Sequence, residues 1–331
     1  KYAKNKTQID DIQYAWFIKF DEILVLAGHH NGWFTPENIL FSLESWSELL
    51  TPLELERWLS AYDLGKNKPK TVALIMAGNI PLVGFHDFIS TLITGNKVLV
   101  KLSSNDKILL PFIAQYLIEV EPSLKDQISF SEGKLEEFDA IIATGSDNTS
   151  RYFEHYFGNK PNIIRRNRNS VAILSGNETN DELAALGEDI FRYYGLGCRS
   201  VSKLFVPNDY NFDALFKALY PYNTIIEQHK YANNYDYNKA VYLMSLYKIL
   251  ENGFLMLKED ENYASPIATV FYEFYESLEE LKIRLTNEKD RIQCMVAKGF
   301  IEDEVPFGLT QKPSLTDYAD NIDTVDFLLK T

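Results

Sequence analysis

A chain of 331 residues, 46% hydrophobic and 24% charged, has the composition of a globular protein of about two domains. Its net charge of −14 excludes nucleic acid as the main partner, because phosphate backbones demand clustered positive charge; a small phosphorylated ligand held by a few local cations is still allowed. Its two cysteines lie in unlike surroundings, make no disulfide framework and fit a reducing cytoplasm. No apolar run approaches the ~18 residues needed to span a membrane, and no basic segment followed by an apolar stretch opens the chain, so neither a membrane span nor a secretory leader is expected.

Residues 8–64 read as helices, with Trp16, Phe17, Phe20, Ile23 and Leu24 on one apolar face. Thr35 and Thr51 each precede a proline and then acids, the pattern of a capped helix start. From residue 71 apolar runs alternate with amphipathic segments. Strands are expected at 71–77, 97–101, 140–144 and near 163, with helices at 82–94, 105–120 and 147–157 between them. A second alternating unit begins near 170, with strands at 171–174 and 201–206 around a helix at 179–194. Apolar runs separated by amphipathic helices predict α/β lobes built on parallel sheets covered on both faces. The boundary is expected near residue 169, giving a helical leader plus dinucleotide-binding domain (1–169) and a catalytic domain (170–331) whose C-terminal part is able to pack back on the first. The polar, tyrosine-rich stretch 222–262 shows no clear strand. There is no internal repeat.

The chemistry-bearing residues fall at strand ends. Met76 to Phe85 follows the first strand, where open α/β sheets bind ligands, and it lacks a GxGxxG fingerprint. Gly95-Asn96, Val98-Leu-Val-Lys101 with Ser104, and Thr144-Gly145-Ser146 follow in order. Cys198 then sits in Tyr193-Tyr-Gly-Leu-Gly-Cys-Arg-Ser200. A lone cysteine is most often a small core hydrophobe. Cys198 differs in having Gly195 and Gly197 beside it, which let a substrate carbonyl approach the sulfur, and in the series of motifs upstream.

Asn79-Ile-Pro, Gly95-Asn96, Val98 to Lys101, Thr144 to Ser146 and Cys198, in that order, resemble the aldehyde dehydrogenase superfamily. Within it the chain looks most like the LuxC-type acyl-CoA reductases, which supply fatty aldehyde in bacterial bioluminescence. Val305-Pro-Phe-Gly-Leu-Thr-Gln311 and Asp317-Tyr-Ala-Asp-Asn-Ile-Asp-Thr324 also resemble that branch. The resemblance spans roughly residues 70–330. It implies an aldehyde-dehydrogenase-like fold of two Rossmann-like lobes with the active site between them, and a cytoplasmic oxidoreductase.

By this resemblance Cys198 is the nucleophile. Asn79, with the Cys198 backbone N–H, is the oxyanion hole, an amide donor that steadies a developing negative charge without titrating. Lys101 is the ribose contact, and Gly145 and Ser146 lie at a helix start beside the cofactor pyrophosphate. NAD-preferring relatives place a glutamate where Ser104 stands. A serine there tolerates a 2′-phosphate, so NADPH is the expected cofactor. The stretch matching the family's water-activating glutamate is Ile164-Arg-Arg-Asn-Arg-Asn-Ser170, which has no carboxylate. Without a base for water, a thioester on Cys198 survives to meet hydride or CoA. A second family glutamate is also shifted, with Asn262 at its position and Glu261 one residue away.

The expected reaction is NADPH-dependent reduction of long-chain acyl-CoA to fatty aldehyde and free CoA. The rivals are an aldehyde dehydrogenase running toward acid, and a scaffold subunit without turnover. Arg165, Arg166 and Arg168 form the one dense basic cluster; they are candidates for neutralising CoA or NADPH phosphates, although a charge run is more often solvated surface. Arg199 and a nearby helix end are candidates for lowering the thiol pKa. His86-Asp87 reads as a packing or capping pair rather than a charge relay, and Cys294 as a buried strand residue. No metal-ligand spacing is present. The expected partners are an acyl-CoA substrate, a second copy of the chain in a homo-oligomer and an acyl-loading enzyme. Acyl chain length is not legible.

Overall fold

The computed structural model describes residues 11–331, so the helical reading of residues 8–10 lies outside it. The chain forms two compact units. One comprises the residues up to Arg166 together with Leu315–Thr331, and the other is Asn167–Ser314.

The first unit opens with α1 (Asp11–His30), α2 (Pro36–Leu49) and α3 (Pro52–Leu59). Thr35 and Thr51 cap the second and third through their side-chain oxygens, which accept from the Asn38 and Glu54 amides, with proline at the first turn of each. Trp16, Phe20, Leu24 and Ala27 form the buried stripe of α1, while Phe17 and Ile23 flank it half-buried. Then follow β1 (Thr71–Ile75), α4 (Phe85–Ile93), β2 (Lys97–Lys101), α5 (Leu109–Val120), β3 (Ile128–Phe130), β4 (Ala140–Thr144), α6 (Asp147–Phe157) and β5 (Asn162–Arg165). The strands make a parallel sheet of order β3-β2-β1-β4-β5, a doubly wound order whose direction reverses between β1 and β4. Successive residues alternate faces. Val72, Leu74, Val98, Val100 and Ile142 pack with Phe34, Ile39, Trp58 and Phe88. Ala73, Ile141 and Ala143 face Phe138, Phe153 and Phe157 on the other side. Burial on both faces is why β1 and β4 read as unbroken apolar runs.

The second unit contains β6 (Asn169–Ile173), α7 (Asn180–Phe191), β7 (Val201–Pro207), α8 (Phe212–Leu219), α9 (His229–Met244), β8 (Ile249–Glu251), β9 (Met256–Glu259), β10 (Thr269–Tyr275), α10 (Leu278–Asn287) and β11 (Ile292–Val296). Its sheet runs β11-β6-β7-β10-β9-β8, parallel except for the β8–β9 pair. The polar stretch 222–262 therefore holds a helix and two strands where no strand was expected. The inward face of α9 is built from Tyr231, Tyr235, Asn238 and Tyr242, at helical spacing. The Tyr231 hydroxyl donates to the Phe254 carbonyl at 2.9 Å and Asn238 to the Ile267 carbonyl at 2.9 Å. A buried face made of polar-tipped side chains escapes a hydrophobicity pattern.

A final helix, α11 (Thr324–Lys330), closes the first unit. The segment leading to it is tied down by side chains from the leader and from α4. Trp58 Nε1 donates to the Tyr318 hydroxyl at 2.6 Å, Tyr62 to Asp323 at 2.7 Å, and a His86 ring nitrogen lies 3.0 Å from the Leu315 carbonyl. Burial holds His86 below its usual pKa, so the ring is neutral near pH 7. The motif from Asp317 to Thr324 thus does structural work within its own unit.

Arg165, at the end of β5, pairs with Asp87 on α4 and donates to Thr324 Oγ1 at 3.1 Å; both charged side chains are 8% exposed. This corrects the expectation that Arg165 serves a phosphate, since its charge is already matched inside the core. Removing one partner of a buried pair strands the other charge. Arg165→Ala is expected to cost about 3–5 kcal/mol in urea unfolding. The double change Asp87→Leu with Arg165→Met should retain more stability than either truncation. A double variant no better than the singles would mean that the two side chains act separately.

Candidate active-site residues

In the first unit the expected cofactor residues all lie at the carboxyl edge of the sheet, around the switch point between β1 and β4. Gly78 and Asn79 follow β1, with Asn79 half-buried. A Cβ on Gly78 would come within 2.7 Å of Ser103 Cβ, so only glycine lets the turn after β1 pass the turn after β2. Asn31 of the leader reaches over to donate to the Gly78 and Asn105 carbonyls, at 3.4 and 3.3 Å. Asp106, buried behind this loop, accepts from the Leu82, Ile108 and Leu109 amides. Burial outweighs those bonds and pushes its carboxyl up to about 6. Leu82 holds a left-handed φ of 58°, a backbone state that a leucine adopts only where its surroundings enforce it. Asn31 of the leader and Asp106, neither singled out by sequence, therefore support the loop carrying Asn79.

Lys101 ends β2, and its Nζ donates to the Gly133 carbonyl at 2.9 Å. Ser104 is exposed, and its carbonyl lies 2.6 Å from a His30 ring nitrogen. Gly145 packs against Thr149 and Phe153 so closely that a Cβ would meet them at 3.1 and 2.9 Å. Ser146 caps α6, its Oγ accepting from the Thr149 amide at 3.3 Å. A lysine ammonium, a serine hydroxyl and a capped helix start form a donor set suited to a ribose and a pyrophosphate. Arg166 is exposed and pairs with Glu154, and Arg168 is half-buried. The three arginines do not form one surface cluster.

In the second unit Cys198 is exposed, so it is no core hydrophobe. It precedes β7 and lies at the amino edge of its sheet, opposite to where the switch-point rule places a ligand. Three consecutive residues before it, Tyr193, Tyr194 and Gly195, hold left-handed φ angles of 55°, 59° and 73°. Two tyrosines in that region carry a backbone cost of about 1–2 kcal/mol each, and such strain clusters at functional turns. The loop beyond is fastened on several sides. Ser170 Oγ donates to the Cys198 carbonyl at 2.9 Å and accepts from the Cys294 amide at 3.1 Å. Arg199 Nε donates to the Thr310 carbonyl at 2.5 Å, and Gln311 to Ser200 Oγ at 3.3 Å. Arg199, a sequence candidate for tuning the thiol, is thus also a tether. The motif from Val305 to Gln311 braces the cysteine loop across more than a hundred residues of chain, a distance over which no local pattern signals the contact.

Cys294 is buried on β11, as its flanks implied. Glu261 is exposed beside Asp260, which accepts from both the backbone and side chain of Asn262 at 2.9 and 2.8 Å. Among the described residues no group of three or more His, Cys, Asp or Glu could hold a metal ion, and no helix is long and apolar enough to cross a membrane.

Comparison with known proteins places the family and the fold. The acyl-CoA reductase (LuxC) family model matches residues 4–219. The long-chain acyl-protein thioester reductase of Aliivibrio fischeri is 25% identical over 228 residues, covering 62% of this chain and 47% of that protein. The chain thus spans about half the length of that relative. Among solved structures, the protein described as aldehyde dehydrogenase PutA of Anabaena variabilis superposes with a TM-score of 0.63 at 16% identity, covering 88% of this chain and 73% of that one. The Mycobacterium tuberculosis aldehyde dehydrogenase complexed with NAD+ gives 0.52 at 15% identity, covering 70% and 57%. With the motifs, the sheet orders and these matches together, the chain belongs to the acyl-CoA reductase (LuxC) family and has the aldehyde dehydrogenase fold.

Proposed function

We propose that this protein reduces a long-chain acyl thioester to a fatty aldehyde through a thioester on Cys198, with acyl-CoA as acyl donor and NADPH as reductant. The observation that carries the reading is an exposed cysteine on a strained, multiply tethered turn, in a chain with no carboxylate in residues 164–170. The Cys198 thiolate attacks the acyl carbonyl. Asn79 and the Cys198 N–H stabilise the oxyanion, the C–S bond to CoA breaks, and the CoA thiolate takes a proton. NADPH, when bound, supplies hydride to the thioester carbon. Collapse of the resulting hemithioacetal then releases aldehyde and returns the thiolate. Lys101, Ser104, Gly145 and Ser146 would hold the cofactor, and Arg166 and Arg168 remain as phosphate contacts. A hydroxyl rather than a carboxylate at Ser104 favours a 2′-phosphate. The missing base leaves water inactive toward the thioester and disfavours oxidation to acid.

The name of the Aliivibrio relative supports a second acyl donor, a protein-bound thioester presented by a partner enzyme. Intact mass after mixing with a long-chain acyl-CoA, then with NADPH or NADH, tests the reading. The expected result is one acyl adduct, cleared with aldehyde release faster by NADPH. An adduct from an acyl-protein donor alone would move the substrate to that class. No adduct from either donor would leave the scaffold reading.

A further inference from the structure

We infer that Asp189 is a positioning residue for the Cys198 loop, acting through the turn from Gly308 to Gln311. Asp189 sits in the last turns of α7 and is fully buried. One carboxylate oxygen accepts from the Gly308 amide at 2.6 Å and the other from the Thr310 amide at 2.9 Å. Gly308 has a φ of 83°, and a Cβ there would lie 3.1 Å from Ala185 Cβ, so this turn sits directly on α7. Thr310, held through its N–H by Asp189, offers its carbonyl to Arg199, and the next residue, Gln311, holds Ser200. One buried carboxylate thus orders a turn whose two outward bonds end on the two residues that follow Cys198.

A carboxylate is the group for this task. Both of its oxygens accept, and a pair of backbone N–H groups facing one side chain asks for two acceptors. Burial of this kind is costly, and it raises the Asp189 carboxyl to about 6 despite the two amide bonds. An asparagine of the same shape would turn an N–H₂ toward one of the two amides and break that side of the clasp.

The inference rests on Cys198 being the acylated nucleophile, and the experiment separates the two. Wild type, Asp189→Asn and Arg199→Lys are compared in single-turnover acylation of Cys198 across a range of long-chain acyl-CoA concentrations, with circular dichroism to check folding. The lysine keeps the charge at 199 but lacks the guanidinium donor. Both variants are expected to lower the maximal acylation rate by about 100-fold, the scale of an ångström-sized misplacement of a reacting group, with the half-saturating concentration within two-fold of wild type. A folded Asp189→Asn protein that acylates within three-fold of wild type would overturn the inference. If Asp189→Asn does not fold, Arg199→Lys decides alone by the same thresholds. If wild type forms no acyl adduct, the thioester reading fails by itself. Asp189 is then judged by the pH profile of Cys198 alkylation with iodoacetamide. A profile displaced in both variants supports the positioning role, and profiles that coincide with wild type refute it.

Discussion

Cys198→Ala is expected to form no acyl adduct and to release no aldehyde from acyl-CoA and NADPH, whatever the acyl chain length. The thioester route requires a sulfur to carry the acyl group between the loss of CoA and the arrival of hydride, and alanine removes that atom. The control is in the chain itself. Cys294 is 5% exposed on β11 and contributes its backbone N–H, not its sulfur, to the Ser170 bond. Cys294→Ala should therefore acylate as wild type does. Intact mass with peptide mapping reads both variants. An adduct that survives in Cys198→Ala would move the chemistry to another residue, and one lost in Cys294→Ala would reverse the assignment.

The second large effect is expected at Asn79. Replacing one donor of an oxyanion hole slows acyl transfer by about 10²–10³, because the donor is aimed where charge appears in the transition state. Asn79→Ala should show that loss in the single-turnover rate of Cys198 acylation, with little change in the acyl-CoA concentration needed for half saturation. Asn79→Asp should be no better than alanine, since a carboxylate repels the forming oxyanion. The loop has supports that do not depend on the Asn79 amide, among them Asn31 on the Gly78 carbonyl and Asp106 on the Leu82 amide. Folding is therefore expected to survive, and thermal unfolding checks it. A loss below three-fold would leave Asn79 as a turn residue only.

How legible each feature was depended on how local its cause is. Strands β1, β4, β6 and β7 were readable because each is buried along nearly its whole length and so carries an apolar run, as Val72-Ala-Leu and Ile141-Ile-Ala do, whereas β3 and β10 were not expected. Capped helix starts at Thr35, Thr51 and Ser146 were readable because a cap is a contact over three residues. By contrast, α9 was not legible, because its buried stripe is tyrosine and asparagine and its hydroxyl and amide partners lie elsewhere in the chain. Arg165 misled for a related reason. Beside Arg166 and Arg168 in sequence it looks like part of a basic patch, yet alternation along β5 turns it inward to Asp87, 78 residues away.

By itself, then, the sequence determined the α/β class and the family, and it singled out Cys198 as the candidate nucleophile, because these rest on local periodicity and on residues in a fixed order. Only the tertiary structure decided that Cys198 is exposed on a left-handed turn, that Arg165 belongs to the core, and that Asp189 and the Gly308–Gln311 turn stand behind the cysteine loop. These depend on hydrogen bonds and charge pairs between segments far apart in the chain, and no local pattern of residue types encodes which distant partner will satisfy a buried polar group.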